Sequence, residues 1–193
     1  MAKIPDGYTR VSEISSSFAG YGKVKQSILD YTADRGTQVH NIIKDKINDF
    51  PVAQERYMFQ GKDIKGYVDS FDKFWEEHSP DEVILLEQRI NEPYLKLSGE
   101  LDCVCKINGK VTLIDWKCTL EVGKHWILQG TGYYLLYKFY SLNPIERILF
   151  IKLNKTGDSP VVVDMEPDEE LFMNAFDMYH RFYKDQKINL EME

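Results

Sequence analysis

The pair Asn108-Gly109, set between two runs rich in apolar and β-branched residues, constrains this chain more than any other feature. A two-residue hairpin turn needs positive φ at both central positions, and Asn-Gly adopts that conformation at the least cost. Residues 95–106 and 111–117 therefore read as the arms of one β-hairpin, with the turn setting their register. Ile107 faces Lys110, and counting outward brings Asp102 opposite Asp115. Side chains opposed in this way share a face, their Cβ atoms about 4.5–5.5 Å apart. Lys117, two residues beyond Asp115, lies on the same face. The other face sets Leu101, Cys103 and Cys105 against Trp116, Ile114 and Thr112, and its apolar character calls for burial under a helix.

Like charges directly opposite one another destabilise a sheet, so the two carboxylates need compensation. Val104, Leu113 and Val111 on their face argue against bulk water as its source. A hard divalent cation such as Mg²⁺ takes carboxylate and carbonyl oxygens, and the Trp116 carbonyl is a candidate third ligand. Lys117 would then point at whatever the metal holds, an arrangement suited to phosphoryl transfer. The competing reading is a partly exposed hairpin in which Asp102 and Lys117 pair diagonally. The hairpin alone leaves both open.

Around the hairpin the pattern alternates between helix and strand. Residues 24–49 carry Ile28, Val39, Ile42, Ile43 and Ile47 at helical spacing, with Gly36 as a break or close-packing point and Pro51 beyond the end. Residues 64–78 form a second helix with Val68, Phe71, Phe74 and Trp75 on one stripe. Residues 82–90 read as a buried strand, 125–140 as an aromatic helix, and 145–153 and 161–163 as two further strands. The segment 167–184 is a closing helix whose first turn carries Asp168, Glu169 and Glu170. The result is an α/β fold, a small central mixed sheet flanked by helices. With no repeats or low-complexity linkers, 1–193 reads as a single domain: a mainly helical part over 1–80, a sheet core over 81–164, and a helix with an acidic tail over 165–193.

Composition narrows the partners. No run of 18 apolar residues exists, so no membrane is expected. The first residues hold no signal-like apolar stretch, and the three cysteines fit neither a zinc pair nor a redox motif. A reducing cytoplasm is the expected setting. The net charge of −7 weighs against a polyanion partner, but from residue 164 onward there are nine acids against three bases. The first 163 residues carry 22 acids and 21 bases, which keeps nucleic acid in play.

Gly99-Glu100-Leu101-Asp102 followed by Ile114-Asp115-Trp116-Lys117 resembles the PD-(D/E)XK nuclease superfamily. The closer likeness is to the branch holding the RecB nuclease domain, mitochondrial genome-maintenance exonucleases and phage exonucleases. That branch has an upstream Gly-Thr-x-x-His, matched by residues 36–40, and a glutamate on the preceding strand, for which Glu87 is the candidate. It also has a Gln-x-x-x-Tyr helix, matched by Gln129 and Tyr133. The likeness spans residues 35–140. Leu101 stands where the superfamily has its eponymous proline, a common departure in this branch.

The resemblance implies a restriction-endonuclease-like core and a metal-dependent DNA nuclease, an exonuclease in DNA processing, recombination or repair, with a phage origin in scope. It implies Asp102 and Asp115 as ligands of Mg²⁺ or Mn²⁺, with His40, Glu87 and the Trp116 carbonyl completing or supporting the site. Lys117 would position the attacking water, while Gln129, Tyr133 and Arg35 orient the site and the DNA backbone. Glu100, which faces Lys117 in the derived register, would orient that amine or make a surface ion pair. The iron–sulfur cysteines of some relatives are missing, so no cluster is expected. The substrate would be single- or double-stranded DNA with an end, and a recombination or replication protein a partner. Alternatives are an inactive or partner-dependent DNA-binding module, a structure-specific endonuclease and an RNA nuclease. Trp126, Tyr137 and Tyr140 invite a base-stacking role, with Tyr134 and Phe139 as core, and Lys23, Lys25, Lys44 and Lys46 are candidate phosphate contacts.

Overall fold

A computed structural model describes residues 3–184. In chain order the elements begin with β1 (Thr9–Arg10), α1 (Val11–Ser17), a 3-10 turn at Tyr21–Lys23 and α2 (Gln26–Ile47). A small hairpin, β2 (Met58–Phe59) and β3 (Lys62–Asp63), precedes α3 (Lys65–His78). Then come β4 (Glu82–Glu92), β5 (Leu97–Ile107), β6 (Lys110–Lys117) and α4 (Trp126–Tyr140). The chain closes with β7 (Arg147–Lys152), β8 (Val161–Met165) and α5 (Glu169–Tyr179), which runs into a π turn at His180–Lys184. The sequence reading finds α2 to α5 and β4 to β8 and does not place α1. It misses the two-residue strands, which are too short to show a period and exist through their partners.

Asn108 and Gly109 have φ of 52° and 76°, so the turn is of the primed kind that the residue pair demands. Ile107 pairs with Lys110, and the β5–β6 ladder runs in the expected register as far as Cys103 opposite Ile114. β6 and β7 run parallel, and β7 and β8 antiparallel, giving a six-stranded mixed sheet among the described residues.

One edge of β5 is occupied along its length by β4. The other edge is shared: β1 pairs in parallel with Leu97 and Ser98, while β6 takes Cys103 to Ile107. Residues 99–102 fall in the split between those two partners. A strand carbonyl row left open inside a sheet is costly unless something else satisfies it, and the candidate site is built at this split.

Two apolar layers hold the sheet. Val39, Ile42 and Ile43 of α2 and Val68, Phe71 and Phe74 of α3 pack on Cys103, Cys105, Ile114 and Trp116. On the opposite face, α1, α4 and α5 cover Val104, Val111, Leu113 and Phe150. Leu101 is an exception to the expected alternation and joins Val104 in the second layer. Leu101 lies past the last rung of the β5–β6 ladder and is paired with Gln88 of β4.

Gly36 is neither a break nor a close-packing point. α2 is continuous through it, and a Cβ there would meet nothing within 4 Å. Gly99, by contrast, is closely packed: a Cβ would come 2.6 Å from Leu136 Cδ1 and 2.8 Å from Tyr133 Cε1 of α4. That close approach seats α4 against the split. α5 begins as expected, with the Asp168 carboxylate accepting the Leu171 N–H at 2.8 Å. The tail beyond Lys184 lies outside the described residues.

Candidate active site

Three elements deliver the first group of residues. His40 comes from the middle of α2, one residue past the buried Val39, so its ring lies at the border of the apolar stripe and reaches the sheet. Its Nδ1 is 3.5 Å from Asp102 Oδ2 and 3.7 Å from Glu87 Oε1, and its Nε2 donates to the Trp116 carbonyl at 3.0 Å. Leu86 pairs with Cys103 and Gln88 with Leu101, so Glu87 is in phase with Asp102 across the β4–β5 ladder. Glu87 has φ of +49°, a left-handed conformation inside a strand that costs a non-glycine residue on the order of 1–3 kcal/mol. The ligand atoms of His40, Glu87 and Asp102 all lie within 4.8 Å of one another, a donor set able to hold a metal ion.

The second group sits across the split. Lys117 Nζ is 2.5 Å from Asp115 Oδ2 and donates to Gln129 Oε1 at 2.9 Å. The Gln129 amide donates to Asp115 Oδ1 at 3.3 Å and to the Tyr133 hydroxyl at 3.0 Å. Gln129 and Tyr133 are four residues apart on α4 and share a face, as their spacing requires. The ammonium also lies 5.3 Å from the Phe150 ring and 6.0 Å from that of Trp126, both buried.

Asp102 ties the two groups together. Its Oδ2 accepts the Trp116 N–H at 2.9 Å, one step beyond the last rung of the β5–β6 ladder. The ladder ends before Asp102 would pair with Asp115, and each of the two carboxylates has its own cation: Asp102 has His40, and Asp115 has Lys117.

The protonation equilibria follow from this packing. Burial works to lower His40, but the charge and hydrogen bond of Asp102, with Glu87 and Asp115 behind them, outweigh it and raise the imidazolium to about 9. Burial pushes Glu87 up to about 7, reinforced by the Asp102 charge and offset in part by His40. Burial also raises Asp115, to about 6, with Lys117 opposing and Asp102 adding to it. For Asp102 the burial penalty is overcome by His40, Lys117 and the Trp116 N–H, leaving it below the ordinary carboxylate value. Tyr133 is held well above the usual phenol range by burial and by Asp115, which keeps its hydroxyl neutral.

Of the nine site residues singled out from sequence, eight converge here, and Arg35 acts at one remove. Its Nη2 donates to the Cys118 carbonyl at 2.6 Å, directly after Lys117, and its guanidinium lies over the Tyr67 and Tyr31 rings. Glu100 does not reach Lys117. It pairs with Arg89 of β4, because the β5–β6 ladder has ended before it and the β4 side offers the nearer cation. Trp126 and Tyr137 are buried and offer no surface to a base, while Phe139 and Tyr140 are exposed at the far end of α4. Lys46 is held by Asp72 at 3.0 Å, Lys44 contributes charge near Glu87, and Lys25 is exposed. The Lys23 side chain lies outside the description. The three cysteines are buried free thiols.

Sequence reasoning passes over His125. It precedes Gln129 by four residues, so His125, Gln129 and Tyr133 continue one helix face, and that spacing was the available signal. Its ring meets Tyr21, whose hydroxyl is 3.3 Å from Nε2.

The sequence matches no protein-family model and no curated protein. Solved structures do share the fold. A crystal structure of the alkaline exonuclease LHK-Exo from Laribacter hongkongensis superposes with a TM-score of 0.51 at 12% identity, covering 96% of this chain and 91% of that one. The same enzyme in complex with dAMP gives 0.51 at 13% identity over the same shares. The expected fold class, a restriction-endonuclease-like α/β core, is the one observed. Among the described residues no helix is long and apolar enough to cross a membrane.

Proposed function

We propose that this chain is a metal-dependent deoxyribonuclease that works as an exonuclease on DNA ends, in processing, recombination or repair. The observation that carries the proposal is the meeting of the His40, Glu87 and Asp102 donor set with the Lys117–Asp115–Gln129 cluster at one split in the sheet. The fold shared with an alkaline exonuclease supports it.

The donor set suits a divalent cation: two carboxylates and one imidazole, half-buried to buried, at mutual distances a single ion can span. His40, Glu87 and Asp102 would hold Mg²⁺ or Mn²⁺, with Asp115 near them, while the Trp116 carbonyl supports the far side of the His40 ring. A bound cation there supplies charge neutralisation of a phosphate and activation of water. The Nε2 bond to the Trp116 carbonyl fixes the ring so that Nδ1 faces the carboxylates, the support that a ligating histidine ordinarily has. Lys117 positions the attacking water and stabilises charge on the phosphate, and Asp115 and Gln129 hold the ammonium in place. Tyr133 fixes the rotamer of Gln129, and Arg35 fastens the strand exit after Lys117. With a net charge of −7 the chain gains little long-range attraction to DNA, which fits delivery of an end by a recombination or replication partner.

The test is a cleavage assay with wild type and Lys117→Ala on matched linear and circular DNA, single- and double-stranded, in Mg²⁺, Mn²⁺ or EDTA. Metal-dependent loss of linear DNA alone, absent in the variant, is the expected result. Equal loss of circles would make the enzyme an endonuclease. No cleavage by wild type in any metal would replace this reading with a binding module.

A further inference from the structure

Resting on the nuclease reading, we propose that the Tyr21–His125 pair and its apolar surround form a subsite that stacks an unpaired base of single-stranded DNA beside the catalytic cluster. The two rings are 5.6 Å apart at 76°, joined by the hydroxyl–Nε2 contact. His125 lies one helical turn before Gln129, which holds Lys117 at 2.9 Å, so the pair sits one turn of α4 from the proposed reaction centre. Burial lowers His125 and the nearby Lys117 charge lowers it further, so the imidazole is a neutral ring able to stack.

The segments that carry the two rings also carry exposed apolar side chains. Leu120 is 80% exposed and Val122 48%, both on the loop that leads from Lys117 to His125. Tyr21 is 38% exposed and Val24, which caps its turn, 40%. Lys124 and Lys25 stand exposed beside these residues, one directly before His125 and one directly after Val24. Aromatic and apolar side chains interleaved with single lysines match a single strand, whose bases present π-faces between spaced phosphates. A duplex hides those faces and draws its affinity from rows of phosphate contacts. Over the first 163 residues acids and bases nearly balance, 22 against 21, so the body has no excess of cations for such rows. Base stacking is the contribution that remains.

The experiment is fluorescence titration in EDTA of a short single strand carrying 2-aminopurine at one end. The same strand as a blunt duplex and a strand with abasic sites at the ends are titrated in parallel. Wild type should quench the base analogue and bind the single strand about tenfold more tightly than the duplex or the abasic strand. Tyr21→Ala should lose the quenching and bind the single strand about tenfold more weakly, and Tyr21→Phe, which keeps the ring, should stay near wild type. Equal binding of abasic and ordinary strands by wild type, or an unchanged Tyr21→Ala, overturns the inference. Metal-dependent cleavage of DNA by the same preparation separates the two failures: cleavage without base dependence rejects the subsite alone. Absence of both cleavage and binding rejects the nuclease reading with it and leaves the rim to a protein partner.

Discussion

The carboxylate of Asp102 accepts the backbone N–H of Trp116 at 2.9 Å, taking the place of a strand carbonyl just where the β5–β6 ladder stops. One side chain thus satisfies the opened backbone and faces His40 with the same oxygen. Asp102→Asn should keep the acceptor and the fold but lose Mn²⁺ binding, because the negative charge is gone. Asp102→Ala should in addition cost about 1–3 kcal/mol for the orphaned N–H. Denaturant melts beside metal titrations of both variants check the two effects separately.

Metal affinity should climb with pH. Below about 9 His40 carries a proton, and below about 7 Glu87 does, so a cation must displace both. Calorimetric Mn²⁺ titrations between pH 6 and 9, in buffers of different ionisation enthalpy, should register proton release that shrinks as pH rises. A flat profile would remove these two residues from the ligand set.

The stability of the metal-free chain should move the opposite way. His40, Glu87 and Asp115 all titrate higher in the fold than their ordinary values. Each therefore contributes stability at low pH that is lost as pH rises through its folded value. Asp102, lowered, acts only in more acid solution. The melting temperature without metal should fall from pH 6.5 to 9, and added Mn²⁺ should recover most at the alkaline end.

Lys117→Ala should reduce cleavage by roughly 10²–10³ while Mn²⁺ still binds, since the ammonium faces Asp115 and Gln129 rather than the donor set. Cleavage rates and metal titrations on one preparation decide it. Loss of metal binding in this variant would mean that the two clusters are not separable.

Two glycines should respond in opposite directions. Gly99→Ala forces a methyl into Tyr133 and Leu136, and should cost about 1–3 kcal/mol and lower activity by displacing Gln129. Gly36→Ala has open space in mid-helix and should add about 0.5–1 kcal/mol. Urea unfolding curves distinguish them.

The hairpin turn and the five pairs beside it were legible from residue order because turn and register are local: Asn108 and Gly109 set the pairing from Ile107–Lys110 to Cys103–Ile114. The spacing of Gln129 and Tyr133 was legible for the same reason, since four residues on a helix are neighbours whatever else the chain does. Tertiary structure alone decided the partners across the fold. β1 splits an edge of β5 with β6, Glu100 turns to Arg89, and Tyr21 crosses more than a hundred residues to reach His125. Those contacts follow from how two apolar layers close on the sheet, and local periodicity carries no record of which distant residue packing brings near. The residue types at Asp102, Asp115 and Lys117 were written in the chain; that Asp102 meets His40 and Lys117 meets Gln129 was settled by where α2 and α4 came to rest.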